Sequence, residues 1–328
     1  MTSWRHKLPQ YWLTHNTLTW LLWPIEVLYR MAFALRKRLY DMGFFKQHSV
    51  HATVIVVGNV VAGGGGKTPL TMALVQRLTQ QGHKVGVISR GYGRQSAGLL
   101  IVQDHSKAAD VGDEPLLIFQ KCQVPVVVSS NRVEAAEELL KKFPETTVLV
   151  SDDGLQHWAL HRDLEICVMD AMGIGNGHML PAGPLREPWP RHVDLLLHTS
   201  QRSLEIGYAS TRRLSDKALS SSGRTTSLHD LQSTPIEVVT GIAKPDAFFN
   251  MLVECGLHIR TKTALPDHDN FENWTPRHPS LALLCTEKDA VKIWPKHGHA
   301  LAVPLIFEPE TAFWDAFDAC FQATHRYH

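Results

Sequence analysis

Lys67 and Thr68 follow a run of glycines in the stretch VGNVVAGGGGKTPL, Val57 to Leu70. An ammonium and a hydroxyl placed directly after such a run suit the binding of a nucleoside triphosphate. Backbone N–H groups of the glycines wrap the phosphates, the lysine reaches the β- and γ-phosphates, and the threonine hydroxyl ligates Mg²⁺. The common spelling of this loop, G-x-x-x-x-G-K-[ST], asks for a glycine at position 61. The chain has Val61 there, then Ala62, Gly63, Gly64, Gly65 and Gly66. These six residues with Lys67 and Thr68 are the candidate nucleotide site, and Lys67 is also a candidate catalytic residue.

Other segments offer matching chemistry. VLVSDDG ends an apolar run in Asp152 and Asp153. This resembles a Walker B arrangement, in which an aspartate holds Mg²⁺ directly or through water. A plain pair of aspartates at a strand-to-turn junction is the alternative. VGDEPLL supplies Asp113 and Glu114. A kinase needs a carboxylate near the attacking hydroxyl, but two carboxylates before a proline also suit a helix N-terminus. Arg90 and Arg94 of SRGYGR, and Arg186 of the proline-fixed loop LPAGPLREP, can face anions. For each, an exposed structural loop is the alternative.

These residues need a scaffold that brings strand ends together. TVIVVGN (Thr53–Asn59) is a β-branched run leading into the glycines, and a helical stretch follows from Thr68 to Gln81. KVGVIS, VPVVVSS, TTVLVSDDG, LEICVMD and VDLLLHT read as further strands, and NRVEAAEELLKKF reads as helix. Strands alternating with helices predict an α/β fold with a doubly wound, mostly parallel sheet. Their continuous apolar character predicts that both faces are covered. Residues 200–235 are rich in Ser, Thr and Arg and read as an irregular connection. Beyond them the α/β texture resumes in a second, smaller unit. The expected division is an N-terminal helix over 1–45, a nucleotide-binding domain over 46–205 and a second α/β domain over 206–328.

With 33 basic and 32 acidic residues, the chain has no cationic excess to collect nucleic-acid phosphates, so no nucleic-acid partner is expected. The five cysteines are scattered without a CxxC, as reduced cytosolic thiols would be. The N-terminus is unusual. Asn16, Pro24, Glu26 and Arg30 interrupt its apolar residues, so no clean membrane span is expected. From Pro24 onward, Ile25, Leu28, Ala32, Leu35 and Leu39 recur at helical spacing, with Trp12, Trp20 and Trp23 just before and Arg36–Arg38 among them. A basic amphipathic helix with aromatics suits a membrane surface. Packing of the stripe on the protein's own core is the alternative.

Taken in chain order, GNVVAGGGGKTP, SRGYGR, GDEP, DDGLQHWALHRDLEI, PAGPLREP, ALPDHDNF and TEKDAVK form a specific set. The chain resembles the tetraacyldisaccharide 4′-kinases of lipid A biosynthesis in Gram-negative bacteria, from about residue 20 to 310. Val61 in place of the first glycine belongs to that family's pattern. The resemblance implies ATP and Mg²⁺ as cofactors and an acylated glucosamine disaccharide 1-phosphate as acceptor, phosphorylated on its 4′-hydroxyl to give lipid IVA. It implies a peripheral enzyme at the cytoplasmic face of the inner membrane, with two α/β domains closing over the nucleotide. By motif position it makes Asp113 the catalytic base, with His268 its partner from the second domain. It puts Asp152 and Asp153 on the metal side with Thr68 and Glu114, and Arg90, Tyr92 and Arg186 near substrate or phosphates. Asp269 stands where many members carry a second histidine, and GIAKPDAFF departs from the commoner GIGxPxxFF. Thr286 to Lys288 are candidates for the base pocket. Two other classes share parts of the pattern. A membrane-associated P-loop ATPase switch carries a signature lysine where this chain has Ala62. A soluble small-molecule P-loop kinase leaves the N-terminus as mere packing.

Overall fold

The computed structural model describes residues 11–63, 65–199 and 206–325; Gly64 and residues 1–10, 200–205 and 326–328 lie outside. The chain forms two compact units. One takes Met1–Arg90, Asn131–Thr211 and Pro309–His328, and the other takes Gly91–Ser130 and Arg212–Glu308. This interleaving differs from the linear division expected from sequence. Specific contacts account for it. The final helix returns to the first unit, where Asp318 accepts from Arg77 Nε at 3.2 Å and Trp314 lies under the Arg77 guanidinium. Within the second unit, Lys121 pairs with Glu287.

Helix α1 (Thr17–Asp41) opens the described chain. It starts well before Pro24, because Asn16 and Thr19 form a capping box: the Asn16 side chain accepts from the Thr19 N–H at 3.1 Å. Trp20 and Trp23 therefore lie inside the helix. By length and composition α1 is long and apolar enough to cross a membrane. Its faces differ sharply. Glu26, Tyr29, Phe33 and Arg36 face the first unit, through His178, Arg186 and Trp158. Leu28 and Leu35 stand 65% and 60% exposed, and Leu21, Ile25 and Ala32 are exposed with them.

Strand β1 (Thr53–Gly58) is buried throughout and leads to α2 (Lys67–Gln80), then β2 (Val85–Ser89). The second unit receives β3 (Leu100–Ile101), α3 (Ala108–Val111), α4 (Asp113–Cys122) and β4 (Val126–Val128). The first unit resumes with α5 (Arg132–Lys142), β5 (Val148–Asp152), β6 (Leu164–Met169) and β7 (Leu195–His198), and β8 (Tyr208–Leu214) starts in it, its last three residues belonging to the second unit. Its strands pair in parallel in the order β2-β5-β1-β6-β7-β8, with Ile55 opposite both Val150 and Leu164. β1 and β5 are buried along their whole length, as strands of a sheet covered on both faces are.

The second unit continues with β9 (Lys217–Leu219), β10 (Thr225–Ser227), β11 (Ile236–Thr240), α6 (Pro245–Glu254), β12 (Ile259–Ala264), β13 (Ala282–Thr286), α7 (Glu287–Ile293) and β14 (Leu301–Val303). Its sheet runs β10-β9-β14-β13-β11-β12. The β14-β13-β11-β12 part is parallel, and β9 and β10 join antiparallel. Ile236, Val238, Phe248, Leu252 and Leu284 form one core cluster. The chain ends in α8 (Thr311–His325). Among the described residues no cysteine forms a disulfide.

The segment read as irregular, 200–235, contains β8, β9 and β10. Its strand β8 buries only alternate residues, including Ala209's neighbour Ser210, so a half-covered strand can be built from Ser, Thr and Arg.

Candidate active site

The carboxyl ends of β1, β5 and β6 converge in the first unit, as binding residues do at the strand ends of open α/β sheets. Gly66 caps α2 with φ 102°, a left-handed conformation that a side chain resists. Val61 needs no such freedom. It is buried and pairs as an antiparallel bridge with Leu185, so the chain there is extended rather than tightly turned. That is the physical reason the first glycine of the common spelling is dispensable. Lys67 is nearly buried. Its Nζ donates to the Gly63 carbonyl at 3.3 Å and stands 3.8 Å from Asp153 Oδ1.

Asp152 and Asp153 have different surroundings. Asp152 is buried, and its Oδ1 accepts from Thr71 Oγ1 at 2.9 Å. Thr68 and Thr71 lie one turn apart on one helix face. Oxygen donors of this kind fit Mg²⁺, which takes few protein ligands and relies on substrate phosphates. Asp153 turns the other way, with φ 51°. Both its oxygens accept from Arg186 Nη1, at 2.9 and 3.1 Å. Burial pushes its pKa up, but the charges of Lys67, Arg186 and Arg132 prevail and hold the carboxyl below its ordinary range. Among the described residues, no three His, Cys, Asp or Glu side chains are grouped to hold a metal by themselves.

Arg186 sits on a loop pinned to the glycine-rich segment. Its N–H donates to the Val60 carbonyl at 2.7 Å, and the Ala62 N–H donates to the Pro184 carbonyl at 2.7 Å. Leu180–Pro181 in this loop is a cis peptide.

The second unit holds a separate cluster. Asp113 is the first residue of α4, after Gly112 at φ 94°. A Cβ on Gly112 would come within 3.1 Å of the Gly91 Cα, so only glycine lets the GDEP and SRGYGR loops approach. The Asp113 side chain does not cap the helix. Its Oδ2 is 3.0 Å from His268 Nδ1 and 2.9 Å from Lys292 Nζ. Burial would raise the Asp113 pKa. The His268 hydrogen bond and the Lys292 and Lys288 charges outweigh that and hold the carboxyl far below the usual carboxylate range. His268 has φ 62°, and its N–H donates to the Gly241 carbonyl at 3.0 Å. Lys288 Nζ lies 3.3 Å from both His268 Nε2 and Glu114 Oε1. The Tyr92 ring is centred 5.1 Å from the His268 ring. Asp289 fixes the start of α7 to β11, accepting at Oδ2 from Thr240 Oγ1 and Thr286 Oγ1, each at 2.7 Å.

The expected residues thus fall into two groups. Gly63, Gly65, Gly66, Lys67, Thr68, Asp152, Asp153 and Arg186 share the first unit, with Val61 and Ala62. Asp113, His268, Glu114 and Tyr92 share the second, so Asp113 and His268 belong to one compact unit rather than to two domains. Glu114, expected on the metal side, pairs here with Lys288. Arg90 is exposed at the end of the first unit's β2. Thr286, expected near the base pocket, caps α7: its Oγ1 accepts from the Asp289 N–H at 3.2 Å. Sequence reading missed Lys292 and Asp170, and it expected Lys288 near the base pocket, whereas Lys288 faces His268 and Glu114. A lysine at 288 and another at 292 were one helical turn apart in TEKDAVK, which was the available signal. Asp170 directly follows β6, and a Cβ on Gly65 would lie 3.3 Å from the Asp170 Cβ.

A profile of the tetraacyldisaccharide-1-P 4′-kinase family matches residues 18–322. The chain belongs to the tetraacyldisaccharide-1-P 4′-kinase family. It is 49% identical over 311 residues to a tetraacyldisaccharide 4′-kinase of Acidovorax ebreus, covering 94% of this chain and 92% of that one. It is 42% identical over 329 residues to the Delftia acidovorans protein of the same name, covering 99% and 95%. Its fold matches LpxK from Aquifex aeolicus, solved in complex with ATP, with a TM-score of 0.82 and 29% identity, over 94% of this chain and 99% of that one. The part of the chain that matches the tetraacyldisaccharide-1-P 4′-kinase family includes both clusters and nearly all of α1.

Proposed function

We propose that this chain transfers the γ-phosphate of ATP to the 4′-hydroxyl of a tetraacylated glucosamine disaccharide 1-phosphate, giving lipid IVA. The observation that carries this reading is the Asp113–His268 contact at 3.0 Å. Activating an alcohol calls for a carboxylate–imidazole pair of this kind. A nucleotide switch has no use for one.

The roles follow from chemistry. Lys67 neutralises charge on the transferred phosphoryl group, and the backbone N–H groups of the glycine run cradle the phosphates. Thr68 and Asp152 would hold Mg²⁺, which when bound would offset the charge of the phosphates. Arg186 faces the phosphates, with Asp153 holding its guanidinium in place before nucleotide arrives. Asp113 stays ionised at neutral pH and fixes the His268 ring through Nδ1. The pair takes the 4′-hydroxyl proton as a unit while the oxygen attacks phosphorus. Tyr92 and Arg90 bind the acceptor, and Lys288 and Glu114 orient the pair's outer nitrogen.

The lipid acceptor explains α1. A helix that buries Glu26 against its own unit and turns Leu21, Ile25, Leu28 and Leu35 outward suits an orientation flat on a bilayer. Arg36, Lys37 and Arg38 are exposed and can meet anionic headgroups. The enzyme sits peripherally on the cytoplasmic face of the inner membrane.

The test is phosphotransfer from MgATP to the acylated disaccharide 1-phosphate in detergent micelles, with the product read by mass and by the position of the new phosphate. Acceptor-dependent turnover and one added 4′-phosphate are expected. Equal ATP hydrolysis without acceptor would favour the switch, and transfer to deacylated sugars alone would favour a soluble kinase.

A further inference from the structure

Helix α1 reaches the phosphate side of the site. The Glu26 carboxylate is 1% exposed, and its Oε1 accepts from the Met179 N–H at 2.9 Å. Its Oε2 lies 2.6 Å from His178 Nδ1. One turn further along, the Tyr29 hydroxyl donates to the Arg186 carbonyl at 2.8 Å. Nearer the N-terminus, Trp12 Nε1 donates to the Pro181 carbonyl at 3.1 Å. The loop that carries Arg186 is therefore held from two sides. Helix α1 grips it on one, and Val60 and Ala62, just before the glycine run, grip it on the other. The Arg186 peptide makes a hydrogen bond in each direction: its N–H to Val60 and its carbonyl from Tyr29.

We propose that Tyr29 and Glu26 are positioning residues for Arg186. The helix that presents an apolar face outward thereby also sets the phosphate-binding arginine. The inference rests on the kinase reading above. A guanidinium displaced by about 1 Å loses much of its value to a transition state. Tyr29 should therefore act on kcat, whereas a residue serving only membrane contact acts on the apparent KM for the lipid. Residues before 45 then belong in part to the transfer machinery and not solely to an anchor.

The experiment is a double-mutant cycle on the full chain, with Tyr29→Phe, Arg186→Ala and the double variant assayed with MgATP and lipid acceptor in micelles. Tyr29→Phe removes one hydroxyl, and a lost hydrogen bond of this kind should lower kcat about 5–10-fold. The lipid KM should not change. In the Arg186→Ala background the same change should have no further effect, because its target is gone. Glu26→Gln should show the same coupling, and melting curves confirm that each variant is folded at the assay temperature. Equal factors in both backgrounds, a change confined to KM, or unaltered turnover in Tyr29→Phe would each overturn the inference. If Arg186→Ala is severely impaired and the effects are additive, this inference alone fails. If Arg186→Ala turns over normally, Arg186 leaves the chemistry and the wider site assignment falls with it.

Discussion

The two clusters are built by opposite means. In the first unit the backbone does most of the positioning. A strand end, a glycine run and a helix start fix Lys67 and Thr68, and a loop bridged to Val61 fixes Arg186. In the second unit the side chains position one another. Asp113, His268, Lys288, Lys292 and Glu114 form a network in which each charge is held by an opposite one. A backbone-built site tolerates the loss of a side chain structurally and loses its chemistry. A network-built site risks losing both, because removing one charge leaves its partners desolvated.

The first contrast to break is the most severe. Lys67→Ala should fold normally and lose activity by a factor on the order of 10² or more, chiefly in kcat, since a charge facing the transferred group is gone. Steady-state kinetics beside a melting curve check this, and turnover within a few-fold of the parent would remove the lysine from the site. A smaller effect is expected from the outer face of α1, which touches neither cluster. Changing Leu28, Ala32 and Leu35 to glutamate should leave the melting temperature nearly unchanged, because these residues are exposed. The variant should leave anionic vesicles, and its apparent KM for lipid should rise roughly tenfold. Collapse of the fold would mean that the stripe is core after all.

The smallest effect is on acid stability at Asp113, the carboxylate at the centre of the network. The folded-state pKa of Asp113 is depressed. The stabilisation from its ionised form is therefore fully present above its unfolded value near 4, and is lost as pH falls below that towards the folded value. Comparing parent and Asp113→Asn by denaturant unfolding should give a gap on the order of 2 kcal/mol at pH 7, shrinking below about pH 4. A gap independent of pH would show that the ion network does not carry it.

The same contrast explains what could be read from sequence. The phosphate loop is contiguous, so GGGGKT between a strand and a helix announces itself, and so does the parallel sheet of buried strands. The Asp113–His268 pair joins residues 155 apart, and nothing local in GDEP separates a helix N-terminus from a buried carboxylate. Only the family resemblance joined them. Lys292 had no motif role and takes one only through the fold. The start of α1 was missed because Pro24 looked like a beginning, whereas the Asn16–Thr19 capping box sets it about two turns earlier. The strands between 206 and 227 were missed because half-covered strands need few large apolar residues.

The central claim is that the first unit binds and clamps phosphates while the second activates the acceptor hydroxyl. Single-turnover transfer by Asp113→Asn, at saturating MgATP and acceptor, tests it most directly. The account predicts undiminished ATP binding and a transfer step slowed by about 10² or more, with the protein folded at neutral pH. Transfer at the parent rate, accompanied only by a lower melting temperature, would reduce Asp113 to a structural residue at a helix start and contradict the account.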